Sequence, residues 1–245
     1  MNDWSRSKFS DGGITHETFR KGSGPGVIIV HEIPGITPAV ENFANEVVAA
    51  GFTVVMPLLV GNFGEPPSGK YIAQSMSKIC ISREFTTMAL NKTSPIITWL
   101  RALAKNLHAN VGGRGVGAIG MCFSGGFALG MMVDDIMLAP VLSQPSLPFA
   151  LGAKRSADLN LSEQDRRRIM QRAQAGCQVL GVLLARRRCA EAAGHGAAQG
   201  HVRGDRKTCR QLAIHRAAEA GEVFIAAGGT DAPAFAHLYR VTAER

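Results

Sequence analysis

One short segment of this 245-residue chain places a nucleophilic side chain where chemistry could use it: Val116-Gly117-Ala118-Ile119-Gly120-Met121-Cys122-Phe123-Ser124-Gly125-Gly126. An apolar run delivers Cys122 to a sharp turn, small residues crowd both sides, and a helix expected over Cys122 to Met132 begins at once. This is the layout of a nucleophile elbow, with cysteine at the nucleophile position. Gly120, Ser124 and Gly126 read as small because a strained turn brings strand and helix backbones together. The N–H groups and positive dipole of a helix N-terminus would stabilise a thiolate and a developing oxyanion. A lone cysteine is ordinarily core filler, so the setting carries the reading. Ser124 is the weaker nucleophile, since it falls one step into the helix.

The elements that must hold this turn follow a βα rhythm up to Gly181, the pattern of an α/β fold whose mostly parallel central sheet has helices on both faces. Val27 to Val30 is a buried run, followed by a Pro/Gly turn and a helix over Pro38 to Ala50 with Val40, Phe43, Val47 and Val48 at near-helical spacing. Phe52 to Met56 is the next strand, closed by Pro57, and residues 58–70 read as a loop. After Ser94 and Pro95, which suit a cap and a first helical position, a helix buries Ile96, Ile97, Leu100, Leu103 and Leu107. Strands are expected over Gly115 to Gly120, over Met137 to Leu142 and from Cys177, with a polar helix over Ser162 to Ala175.

Composition excludes several classes. At 46% hydrophobic and 19% charged residues the chain can build a globular core, which rules out disorder or coiled coil as a description of the whole. No stretch is apolar enough for a membrane span and the opening residues are polar, so a cytoplasmic protein without membrane association is expected. The five cysteines are scattered without a C-x-x-C pair, against a disulfide framework or zinc knuckle. Phosphate-loop and dinucleotide motifs are missing, because Gly22-Ser23-Gly24-Pro25-Gly26 precedes its strand. No cofactor and no metal are expected. The net charge of +8 comes without a groove-entering motif or aromatic platform, so no nucleic-acid partner is expected.

Over residues 10–181 the sequence resembles the dienelactone hydrolase family of α/β-hydrolases, which use a cysteine at the elbow. The resemblance rests on His31-Glu32-Ile33-Pro34-Gly35-Ile36, Ser82-Arg83-Glu84-Phe85, Gly120-Met121-Cys122-Phe123-Ser124-Gly125-Gly126 and Gln144-Pro145-Ser146-Leu147-Pro148-Phe149. It implies that Glu32 resembles the family glutamate that hydrogen-bonds the resting thiol and can accept its proton. It also implies that the N–H groups of Ile33 and Phe123 form an oxyanion hole, and that Arg83 holds a substrate carboxylate. A planar fork donor suits that last task. Arg83 could instead pair with Glu84 or Glu65. His31, where the family often has a polar residue, receives no catalytic role. The implied activity is hydrolysis of small, carboxylate-bearing esters or lactones through an acyl-enzyme on Cys122, by a monomer or homodimer. The alternative is an impaired relative that binds a small acidic ligand or a protein partner.

The chain reads as one domain over residues 1–245, yet 182–245 is atypical, rich in Ala, Arg and His. An elbow nucleophile needs an acid and then a histidine further along the chain. No Asp occurs between Asp165 and Asp205, and Glu191 is the only carboxylate in that interval. His201 has the better separation from Cys122 and Arg206 follows it; His237, in an Ala-His pair, is its rival. The acid stays unassigned. The change after Gly181 is read as a shift of coding frame, with a divergent cap or tail as the competing explanation.

Overall fold

The computed structural model describes residues 3–85, 92–143 and 161–182. Its core is a seven-stranded sheet of order β1-β2-β4-β3-β5-β6-β7. Strands β3 (Gly26–Val30), β4 (Thr53–Leu58), β5 (Val116–Met121), β6 (Met137–Ser143) and β7 (Leu180–Val182) run parallel. The hairpin of β1 (Ser5–Asp11) and β2 (Ile14–Lys21) adds antiparallel to β4. Gly12 and Gly13, both at positive φ, make the two-residue turn between the hairpin strands.

The helices are α1 (Pro38–Ala49), α2 (Gly69–Ile81), α3 (Pro95–Val111), α4 (Gly125–Met131) and α5 (Glu163–Gln174). Strand alternation feeds a core on each face. Ile28, Val30, Val55 and Ala118 point to one core, with Ile97, Leu100 and Leu103 of α3 and Phe127 and Met131 of α4. Val27, Ile29, Val54, Met56 and Ile119 point to the other, with Val40, Phe43 and Val47 of α1. All five residues of β3 are buried, as a central parallel strand requires.

Several local expectations need correction. Pro57 does not close its strand: β4 continues to Leu58, with Pro57 opposite Thr18 of β2. The ladder from β4 to β3 has already ended at Val55, so a missing N–H is tolerated there. Strand β7 begins at Leu180, not Cys177, and the β1–β2 hairpin and α2 are additional elements. Among the described residues no helix is long and apolar enough to cross a membrane.

The last described helix is fastened by one guanidinium. Arg172, buried on α5, donates to the carbonyls of Met132, Asp134, Asp135 and Met137, and so grips the chain between α4 and β6. Its Nε also lies 3.3 Å from the Asp135 carboxylate. Charge-assisted bonds from a rigid fork can saturate several carbonyls at once, which Lys cannot imitate.

Candidate active site

Two neighbouring strands end at the site. β3 and β5 pair in parallel with Val30 opposite Gly120, so the segment Glu32-Ile33 and the segment Cys122-Phe123 leave the carboxyl end of the sheet side by side. Cys122 has φ +53°, the single non-glycine residue with positive φ among those described, and it is half-buried. A left-handed conformation at a residue with a Cβ stores about 1–2 kcal/mol of strain, which surrounding contacts must impose.

Those contacts are visible. Cys122–Ser124 is a turn of 3-10 helix, and α4 starts only at Gly125, a correction to the helix expected from Cys122. A Cβ on Gly120 would overlap the Ser124 carbonyl oxygen, so glycine is obligatory there. Gly126, by contrast, has open space where a Cβ would stand, so its smallness has no steric cause among the described residues. The fully buried Ser124 hydroxyl accepts from the Met121 N–H at 2.8 Å and lies within donating distance of the Val30 and Met121 carbonyls, at 2.8 and 2.9 Å. Committed to main chain on both strands, Ser124 is a staple and leaves Cys122 as the nucleophile-type side chain at the turn. The first N–H groups of such a turn, Phe123 included, have no acceptor within it.

The other wall is the turn after β3. His31 is fully buried in an otherwise apolar run. The Leu59 N–H donates to its Nε2 at 3.0 Å, and its Nδ1 lies 2.7 Å from the Glu32 carbonyl oxygen. Because an amide N–H can only donate and a carbonyl can only accept, the ring must be neutral with its proton on Nδ1. Burial, with a smaller contribution from His16, drives the His31 pKa down to about 4 against the pull of the Glu32 carbonyl. Pro34, after Ile33, accepts from the buried Ser75 hydroxyl of α2 at 2.8 Å. The Glu32 side chain reaches solvent at the rim of this turn and has no hydrogen-bond or ion-pair partner among the described residues. The protein packed around its base still desolvates the carboxyl enough to raise its pKa. Ile33 is half-buried.

Arg83 lies in the turn after α2, exposed and without an ion pair among the described residues. Its sequence neighbours are engaged elsewhere: Glu84 bonds His16 at 3.2 Å, and Glu65 accepts from Asn62 at 2.6 Å. Two residues on, buried Phe85 meets Phe123 edge-on at 6.3 Å and Phe127 at 6.4 Å, which ties the Arg83 segment to the elbow. Thus the segments that carry Cys122, Glu32 and Arg83 meet at the carboxyl end of β3 and β5, joined by the strand pairing and by the contacts of the Phe123 ring with His31 and Phe85. His201, its rival His237, Glu191, Arg206 and the Gln144 to Phe149 motif lie outside the described residues. Sequence reasoning gives His31 no catalytic role and quotes Phe85 only as part of a motif, so the contacts that both make toward the site are findings of the structure. A histidine closing the run Val27-Ile28-Ile29-Val30 was the available signal for the first.

No curated protein matches the chain significantly. Among solved structures, a Vigna radiata epoxide hydrolase mutant aligns at 19% identity over 58% of this chain and 39% of its own, with a TM-score of 0.41. The thioesterase domain from the curacin biosynthetic pathway aligns at 15% identity over 59% of this chain and 45% of its own, also with a TM-score of 0.41. A haloalkane dehalogenase variant from Agrobacterium tumefaciens gives 14% identity over 59% and 43%, with a TM-score of 0.37. The aligned part therefore spans less than half the length of these proteins. The sequence model of the dienelactone hydrolase family matches residues 15–143, from β2 to the end of β6, and takes in Glu32, Arg83 and the whole elbow. Matched across more than half its length, the chain belongs to the dienelactone hydrolase family and has the α/β-hydrolase fold.

Proposed function

We propose that the protein is a hydrolase of small esters or lactones that acts through an acyl-enzyme on Cys122. The observation that carries this reading is the left-handed backbone at Cys122, clamped by Gly120 and Ser124 at the end of a buried strand. Strain of this kind persists only where the surroundings impose it, and its effect here is to hold a thiol-bearing residue at the carboxyl end of the sheet. In the proposed reaction the Cys122 sulfur attacks the ester carbonyl, the Ile33 and Phe123 N–H groups hold the developing oxyanion, and the intermediate collapses to the thioester as the ester C–O bond breaks and its oxygen leaves as the alcohol, taking up the proton given up by the thiol. Glu32, its pKa raised by desolvation, takes up the thiol proton as substrate arrives. Arg83, exposed and unpaired among the described residues, suits a substrate that carries a carboxylate. Water then releases the acid product with help from a histidine, His201 or His237.

The second reading, ligand binding without turnover, is favoured by the sequence after β7, which runs Leu183-Leu184-Ala185-Arg186 where a catalytic acid would stand. The discriminating experiment is hydrolysis of an aryl acetate and a small lactone by wild type and Cys122→Ala. Turnover lost in the variant supports the acyl-enzyme. Equal rates in both remove Cys122 from the reaction, and no turnover with tight binding of a small carboxylate selects the second reading.

A further inference from the structure

The Glu32–Ile33 peptide is a planar unit, so its carbonyl oxygen and its N–H point in opposite directions and cannot be set independently. The carbonyl is fixed by the Nδ1–H of His31 at 2.7 Å, and the ring is in turn fixed by the Leu59 N–H on Nε2 at 3.0 Å. We propose that His31 is a positioning residue of this site: through that single tautomer it aims the Ile33 N–H, the oxyanion donor in the reading above on which this inference rests, and protonation of its Nε2 releases the aim.

The chain of contacts leaves little freedom. His31 is fully buried, and on its elbow side it meets the Phe123 ring at 6.4 Å, so it cannot re-form its bonds by swinging outward. When Nε2 takes a proton it becomes a donor facing the Leu59 donor, and the two must separate. The ring then moves and takes the Glu32–Ile33 peptide with it. Among the described residues the groups that could bias this step are few. They are Glu32 on the same segment, His16 on β2 with its partner Glu84, and the uncharged Phe123 of the elbow. Burial opposes protonation of His31 most strongly, with His16 adding a smaller electrostatic effect in the same direction, so the ring stays neutral until the solution is well into acid. The Met121 N–H, held by the Ser124 hydroxyl, has no titratable group in its bond and supplies an internal control.

The test uses the full chain labelled with nitrogen-15. In wild type, one histidine ring should show the neutral Nδ1–H tautomer throughout about pH 5 to 8. As the solution is acidified through about pH 4, the Leu59 and Ile33 amide resonances should move together, with Met121 unmoved. An Nε2–H tautomer overturns the proposal, as does a Leu59 shift that leaves Ile33 in place. Two variants add a kinetic reading. His31→Asn can return an N–H near the Nδ1 position, and His31→Gln can return only an acceptor near Nε2. With an aryl acetate, kcat should fall by at least about tenfold in His31→Gln and by clearly less in His31→Asn, with KM little changed. Alkylation of Cys122 by iodoacetamide, which develops no oxyanion, should proceed equally in both. Equal kcat in wild type and folded His31→Gln overturns the proposal. If neither variant folds, the wild-type tautomer and amide shifts decide alone. Full turnover by Cys122→Ala would sink the acyl-enzyme reading and leave those resonances to judge His31 separately.

Discussion

The two turns that flank the site are fixed by different chemistry. The elbow after β5 is held by a serine hydroxyl and a missing Cβ, and neither ionises. The turn after β3 is held by an imidazole that is both donor and acceptor only while neutral. The bonds that shape the turn at Cys122 therefore contain no titratable group, whereas those that shape the facing turn do. Strain distinguishes them as well: Cys122 sits at positive φ, whereas the β3 turn shows no positive φ from Val30 to Thr37. One turn is shaped by sterics and by hydrogen bonds without a titratable group, and the other by hydrogen bonds that acid can break.

The largest effect expected from breaking the elbow is chemical. Cys122→Ala should abolish ester turnover, a loss of three orders of magnitude or more on the scale known for removed nucleophiles, with the melting temperature almost unmoved. Gly120→Ala comes next, because its Cβ would overlap main chain that cannot move aside. It should cost about 3 kcal/mol or more in urea unfolding, whereas Gly126→Ala, with open space around it, should be neutral or slightly stabilising. Ser124→Ala leaves the half-buried Met121 N–H without its acceptor and should cost about 1–2 kcal/mol.

The β3 turn should respond to pH instead. His31 titrates near 4 in the native protein and near 6.5 once unfolded, so between those values the unfolded chain binds a proton that the native state refuses. Its contribution to stability is fully present above the unfolded value, declines as pH falls from about 6.5 towards 4 by up to about 1.4 kcal/mol per unit, and then levels off. Urea midpoints for wild type and His31→Asn across this range check the slope, which the variant should lack. The smallest effect concerns strain alone: Cys122→Gly should be more stable than Cys122→Ala by about 1 kcal/mol or less, since glycine adopts positive φ freely but gives up more chain entropy.

Much of this organisation is legible in the sequence. Fully apolar runs such as Val27 to Val30 identify interior parallel strands, and a nucleophile between small residues after such a run identifies an elbow. What escaped is what has no strong periodicity. β1 is exposed along most of its length, so no alternating apolar pattern marks it, although Asp11-Gly12-Gly13-Ile14 between two polar segments was a usable hairpin signal. Helix α2 buries only Tyr71, Ser75 and Ile79, a narrow stripe with a serine in its centre. The role of Ser124 was invisible for another reason. Its partner Val30 is 94 residues away, and nothing local to either residue announces the bond. Gly126 misled in the opposite direction, being small without a packing need among the described residues.

Arg172 has a bearing on how this molecule opens. Four carbonyls from the connection between α4 and β6 converge on one guanidinium of α5, and the chain then passes within eight residues into β7. Helix α5 cannot lift from the sheet by degrees, because partial withdrawal would strand a buried cation and several carbonyls together. The amides of the last turn of α5 and of β7 should accordingly exchange with solvent deuterium at a common rate, as one cooperative unit that is either docked or released.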